Sequence, residues 1–255
     1  MNQKIKPGTD VSVQIEQYLK TLSLHRISEI YNQEADNAAL NKLSYQDYLH
    51  RLLENEVLNK IDRSINRKLQ VAGFPQLKGL EEFDFSYQPK INEKLIRELA
   101  SLQFMDQAKN ILFIGAPGVG KTHLAISLGI KAAQARKRVQ FYSAETLTEV
   151  LATAEVSNNL NKTIGLLSKI DLLIIDELGY ISLNKQTARL FFQLISRRYE
   201  KVSTIITSNK PFEQWGEIFN DDIVASAILD RLLHHSYPFL ISGKSFRLKG
   251  ITNNT

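Results

Sequence analysis

Gly115-Ala116-Pro117-Gly118-Val119-Gly120-Lys121-Thr122 decides how this chain is read. The octet fits the pattern G-x-x-x-x-G-K-S/T, whose glycines let the backbone curl until several N–H groups point at one phosphate. In a chain of 255 residues the fixed positions fall together by chance about once in a hundred. The flanks sharpen the match. Ile111–Ile114 is an apolar run suited to a buried strand, and Thr122–Ala135 suits a helix. A helix N-terminus directly after the loop adds its dipole and free N–H groups to the phosphate cradle. Lys121 supplies a point charge to the phosphates, and Thr122 offers its hydroxyl to Mg2+.

Working outward, short apolar runs recur at Val139–Tyr142, Leu172–Ile175, Thr204–Ile206 and Phe239–Ile241, with helix-length segments between them. This alternation predicts an α/β fold, a parallel sheet flanked by helices, with the ligand edge at the carboxyl ends of the strands. Leu172–Ile175 delivers Asp176 and Glu177 to that edge. Asp176 is placed to hold Mg2+ and Glu177 to polarise a water for attack on the γ-phosphate. A base set on water favours hydrolysis over transfer to an acceptor, so an ATPase is expected rather than a small-molecule kinase. Thr204-Ile-Ile-Thr207-Ser208-Asn209 is a second strand with a polar end, and Asn209 is the residue expected to reach the γ-phosphate or its water.

The front of the chain reads as helix, with no glycine between Thr9 and Val71. Ile15, Leu19 and Leu22, then Leu24, Ile27, Ile30 and Tyr31, recur at helical spacing. Ser44 and Asp47 form a capping signal ahead of Leu49, Leu53, Val57, Ile61, Ile65 and Leu69, one residue in four. Gly73, Pro75, Gly79 and Pro89 break this pattern. Phe83, Phe85 and Tyr87 alternate with polar neighbours, predicting an extended segment docked on the next domain. The expected organisation is an N-terminal helical domain over 1–75, to which the resemblance given below assigns DNA or partner binding, and an ATPase domain over 76–255. Lys60, Arg63, Arg67 and Lys68 make a basic stripe along the third helix, which reads either as a solvated face or as a contact for the DNA backbone.

The formal net charge of +5 is compatible with a nucleic-acid partner without nominating one. The absence of cysteine excludes disulfide scaffolds, cysteine nucleophiles and cysteine-ligated zinc or iron–sulfur centres. Met1–Gly8 has a positive start and no apolar stretch behind it, so no secretory signal is expected. With no long apolar run either, the expectation is a cytoplasmic protein without a membrane partner. His234 and His235 are adjacent on a helix, where neighbours point about 100° apart, and are expected to be structural. His123 and Trp215 are expected to pack, away from the chemistry.

The chain resembles the IstB-type AAA+ ATPases, helper proteins of insertion-sequence transposition, and more distantly the DnaC helicase loaders. The likeness rests on Gly115–Leu124, Asp171–Tyr180, Arg198-Tyr199-Glu200 and Thr207–Asn209 with Pro211, Phe212 and Trp215. Asp230-Arg231-Leu-Leu-His234-His235 and Gly243–Leu248 complete it. The resemblance implies assembly of a homo-oligomer on double-stranded DNA, service to a cognate transposase, and Arg231 as an arginine finger reaching a neighbouring subunit's ATP. It implies Arg247 as a nucleotide contact, acting from the core because too little chain comes after the last strand for a separate lid. A replicative helicase loader is the alternative within the same resemblance.

Overall fold

The computed structural model describes residues 10–248, so Met1–Gly8, the basis for expecting no secretory signal, lies outside the described residues. Packing divides the chain into two units, Met1–Asn66 and Arg67–Thr255. The first is built from α1 (Val11–Thr21), α2 (His25–Leu40) and α3 (Tyr45–Ala72). Division falls within α3, ahead of the glycine–proline break at 73–75. The last turns of α3 belong with the second unit because Ala72 is buried in its core and Leu69 packs against it.

Ser44 caps α3: its hydroxyl accepts the Asp47 N–H at 3.1 Å and donates to the Asp47 carboxylate at 2.6 Å. The row expected to face the core is displaced along this helix. Leu49, Leu53 and Val57 are about half exposed, whereas Leu52 is buried with Ile27, Ile30 and Tyr31. Polar contacts fix that rotation. Tyr48 donates its hydroxyl to the Tyr31 carbonyl, and the buried Glu56 carboxylate accepts the Ile27 N–H at 3.0 Å. Leu24, at the start of α2, makes no side-chain cap, so Glu56 of α3 satisfies one of that helix's free N–H groups.

The second unit begins with two 3-10 turns, Leu80–Glu82 and Phe85–Tyr87, in place of the expected extended segment. Local side-chain bonds to the backbone close them: Glu82 accepts the Gly79 N–H at 2.7 Å and Asp84 accepts the Tyr87 N–H at 3.2 Å. Next in the chain are α4 (Glu93–Leu99), α5 (Gln103–Asp106), β1 (Asn110–Gly115), α6 (Lys121–Gln134) and β2 (Val139–Ser143). Then come α7 (Ala144–Val156), α8 (Leu160–Leu167), β3 (Leu172–Leu178), α9 (Lys185–Arg198) and β4 (Ser203–Ser208). The order closes with α10 (Trp215–Phe219), α11 (Asp222–His234) and β5 (Ser236–Ile241).

All pairings in the sheet are parallel, in the order β2-β3-β4-β1-β5. Alternation along the strands feeds two cores. Leu112, Ile114, Leu173, Ile175 and Ile206 face α7–α11, while Ile111, Phe113, Ile174 and Ile205 face α4–α6. Burial on both faces explains why the strands read as continuous apolar runs. Pro238, which has no N–H to donate, sits in the edge strand β5. After β5 the described residues contain only the 3-10 turn Phe246–Leu248, so there is no helical lid among them. None of the described helices is long and apolar enough to cross a membrane.

Arg198 is the largest polar side chain in the core, 1% exposed. Its guanidinium donates to the carbonyls of Leu167, Ile170 and Ser203 and to the Thr204 hydroxyl, at 2.5–3.0 Å. Burial pushes its pKa down to about 9, with Asp171 pulling the other way, so the group remains charged at neutral pH. It ties α8, α9 and β4 together. Arg198→Leu leaves those buried acceptors unmatched, and at about 1–3 kcal/mol for each unsatisfied group a loss of roughly 3–5 kcal/mol is expected. Denaturant unfolding followed by circular dichroism measures it; an unchanged midpoint refutes the assignment.

Candidate active site

Because β4 lies between β1 and β3, three strand ends converge on one cavity of about 400 Å3. The loop Pro117–Thr122 forms its floor, with Glu177, Tyr180, Thr207 and Arg247 around it and Phe83, Asp84 and Phe246 opposite. The loop conformation demands glycine. Gly118 has φ +82°, and a Cβ there would lie 2.1 Å from the Ser245 hydroxyl. Gly120 has φ +97°, and its Cβ would lie 2.5 Å from the Phe83 ring.

Lys121 starts α6 and turns back over the loop, donating to the carbonyls of Gly115 (2.6 Å) and Ala116 (2.9 Å). Burial lowers its pKa and the like charge of Arg247 adds to the effect, while Asp176 and Glu177 oppose it. An arriving polyphosphate therefore meets an ammonium that has lost part of its hydration and gains most from an anion.

Asp176, 6% exposed, sits between two hydroxyls. Thr122 donates to its carboxylate at 2.8 Å and Thr207 at 2.5 Å. Ladder pairing of β3 with β4 slips between Ile175 and Leu178, and Glu177 takes φ +62° in that bulge. Its backbone N–H, out of the ladder, donates to the Thr207 hydroxyl at 2.9 Å, and its exposed carboxylate lines the cavity. Left-handed backbone on a non-glycine residue costs energy and is held here by its surroundings.

Lys121, Thr122, Asp176, Glu177 and Arg247 are thus brought together. Of the polar residues ending β4, Thr207 lines the cavity, a residue the sequence reading passed over. Asn209 is not a lining residue: a Cβ on Gly179 would meet its Oδ1 at 2.7 Å, and that buried oxygen has no hydrogen-bond partner. Arg231 is not a lining residue. Its guanidinium stacks on Phe192 at 4.6 Å and donates to the Ala227 carbonyl. His123, expected to lie away from the chemistry, lines the cavity wall, bonded to the Gly79 carbonyl and packed edge-on against Phe83. Trp215 is fully buried against Phe212 and Phe219. Lys60, Arg63 and Arg67 are exposed along α3 and Lys68 is half-buried.

A five-stranded parallel sheet, a glycine loop after β1 and an acid pair two strands away define a P-loop NTPase core of the AAA+ type. The profile of the family described as IstB-like ATP binding protein matches residues 17–253, and this chain belongs to that family. It is 44% identical over 236 residues to a Pseudomonas aeruginosa protein named as the putative ATP-binding protein of insertion sequence IS21, covering 92% of this chain and 89% of that one. Its counterpart from insertion sequence IS5376 of Geobacillus stearothermophilus is 43% identical, over 92% and 94% of the two chains. Among solved structures, AMPPCP-bound DnaA from Aquifex aeolicus superposes with a TM-score of 0.57 at 20% identity, over 71% of this chain and 55% of that one. The DnaC helicase loader gives 0.50 at 24% identity, over 58% and 87%. At these identities the likeness is one of fold.

Thr207→Val keeps side-chain shape and removes the hydroxyl that joins Asp176 to the Glu177 backbone. Nucleotide affinity is expected to stay within a few-fold, while ATP turnover falls about 10²-fold, as for a misplaced catalytic group. Fluorescent-nucleotide titration beside a phosphate-release assay separates the two; equal losses in both contradict a positioning role.

Proposed function

We propose that this protein hydrolyses Mg-ATP as a homo-oligomer assembled on double-stranded DNA, and in that state serves a cognate transposase. The observation that carries the reading is the gathering of Lys121, Thr122, Glu177 and Arg247 around one cavity, with Asp176 bonded to Thr122. Backbone N–H groups of 115–122 cradle the phosphates, and Lys121 exchanges its two carbonyl partners for phosphate oxygens. The Thr122 hydroxyl and Asp176 carboxylate form an oxygen-only pair at hydrogen-bond distance, the donor chemistry that suits Mg2+. When bound there, Mg2+ neutralises charge on the β- and γ-phosphate oxygens. Glu177 accepts a proton from the attacking water, and the Thr207 hydroxyl holds the Glu177 backbone in place. Asn209, following β4, is the residue proposed to reach the γ-phosphate or its water, and Arg247 contacts the nucleotide from the core itself.

The finger role proposed for Arg231 is toward the ATP of a neighbouring subunit; in its own chain Arg231 does not line the cavity. Glu177→Gln and Arg231→Ala are each expected to lose turnover by about 10³-fold or more. Mixing the two inactive proteins is expected to restore part of it, since one supplies Arg231 and the other an intact Glu177. A mixture as inactive as its components, while both still bind ATP and assemble, contradicts the shared site.

The domain expected over 1–75 is the proposed seat of DNA and partner contacts, with Lys60, Arg63, Arg67 and Lys68 facing DNA phosphates. Lys60 also lies 3.8 Å from Glu56. Removing Lys60, Arg63 and Arg67 together as alanines is expected to flatten the negative slope of log affinity against log salt by about 2.7 units. An unchanged slope in DNA-binding titrations refutes the stripe. The insertion-sequence names of the relatives support a transposase over a replicative helicase as partner.

A further inference from the structure

The end of α11 carries a cluster that takes no part in the chemistry above. His234 is the last residue of the helix, and His235 leaves it, with φ −127° and ψ 84°. That departure cancels the divergence of helical neighbours and brings the two imidazole rings to 4.1 Å between centroids. Glu200, in the turn between α9 and β4, is held in the left-handed region at φ +58°. It turns its Oε1 to within 3.5 Å of His234 Nδ1 and 3.3 Å of His235 Nε2. Donor atoms of the three residues all lie within 4.8 Å of one another.

We propose that Glu200, His234 and His235 bind a divalent transition-metal ion of the Zn2+ type. Tetrahedral bonds of about 2.0–2.1 Å set neighbouring donors about 3.3 Å apart, close to the separations from Glu200 to each histidine. Two imidazoles and a carboxylate are borderline donors that favour Zn2+ over Mg2+. Carbonyls at the C-terminal end of α11 add negative potential where the cation would sit. About half of each side chain is exposed, which gives the ion a path in and leaves a fourth position for water. The Tyr199 hydroxyl lies 2.6 Å from His234 Nδ1; it holds that nitrogen until a metal replaces the hydrogen bond, and is not a ligand. A bound ion clamps the end of α11, the helix of Arg231, to the α9–β4 turn. The proposal stands whatever role Arg231 has.

Full-length, untagged protein titrated with Co2+ is expected to show one equivalent per chain with the visible bands of a four-coordinate ion, bleached by Zn2+ and not by excess Mg2+. Glu200→Gln and His235→Ala are expected to weaken binding at least tenfold. Tyr199→Phe is expected to retain it, and Asp176→Asn, altered in the nucleotide cavity, to leave it unchanged. Circular dichroism establishes that each variant is folded. Failure to saturate at one equivalent, displacement by Mg2+, or binding that survives a folded double variant at Glu200 and His235 overturns the proposal.

Discussion

Asp176 is gripped by two threonine hydroxyls, one from the start of α6 and one from the end of β4, and the geometry of the site depends on that grip. Thr122 fixes the loop-bearing helix to β3. Thr207 fixes β4 to β3 and, through the Glu177 N–H, also sets the bulge that turns the second carboxylate toward the cavity. The grip requires β4 to lie between β1 and β3, as it does. In a sheet with β1 beside β3, no third strand would supply a hydroxyl from between them. Sheet order and side-chain chemistry are therefore one constraint: the strand order is what allows a single carboxylate to register three elements.

Electrostatics of the same cavity favour a polyanion over a single charge. Lys121 is partly dehydrated, its positive form opposed by burial and by Arg247 and supported by Asp176 and Glu177. A polyphosphate relieves the repulsion between the two cations and gives Lys121 partners better than the carbonyls of Gly115 and Ala116.

The phosphate loop, the acid pair and five strands could be read from the sequence because each is a local pattern: a fixed spacing, or an apolar run bounded by polar residues. Features set by register or by contact between distant elements could not. The backbone turn that carries Glu177 is set by the slip between Ile175 and Leu178, and no propensity reports a slip. The rotation of α3 escapes a sequence reading for a related reason. Rows beginning at Tyr48 and at Leu49 are both plausible on spacing, and the choice falls to a buried glutamate capping α2, a residue whose charge marks it as exposed. Arg198 is the same case within the second unit, since only its four buried acceptors explain a charge in the core. Glu200 and the two histidines are separated by a strand and two helices, so only the fold could bring them together.

The absence of a helical lid among the described residues has a structural counterpart on the cavity's far wall. Tyr87 and Gln88 donate to the carbonyls of Ser245 and Lys244, and Phe246 packs edge-on against Tyr87. The Phe246 N–H donates to the Gly118 carbonyl. The two 3-10 turns ahead of α4 and the strap after β5 thus brace each other and the phosphate loop. They bring Phe83, Phe246 and Arg247 to the wall of the cavity. This wall is joined to the loop through the backbone of Gly118 and through the close fit of Phe83 on Gly120. Short turns closed by aspartate and glutamate serve here better than the extended segment that the aromatic alternation predicts. An extended chain would present every second ring to solvent, whereas the turns place Phe83 and Phe85 together, 4.8 Å between centroids, on the core that carries the loop.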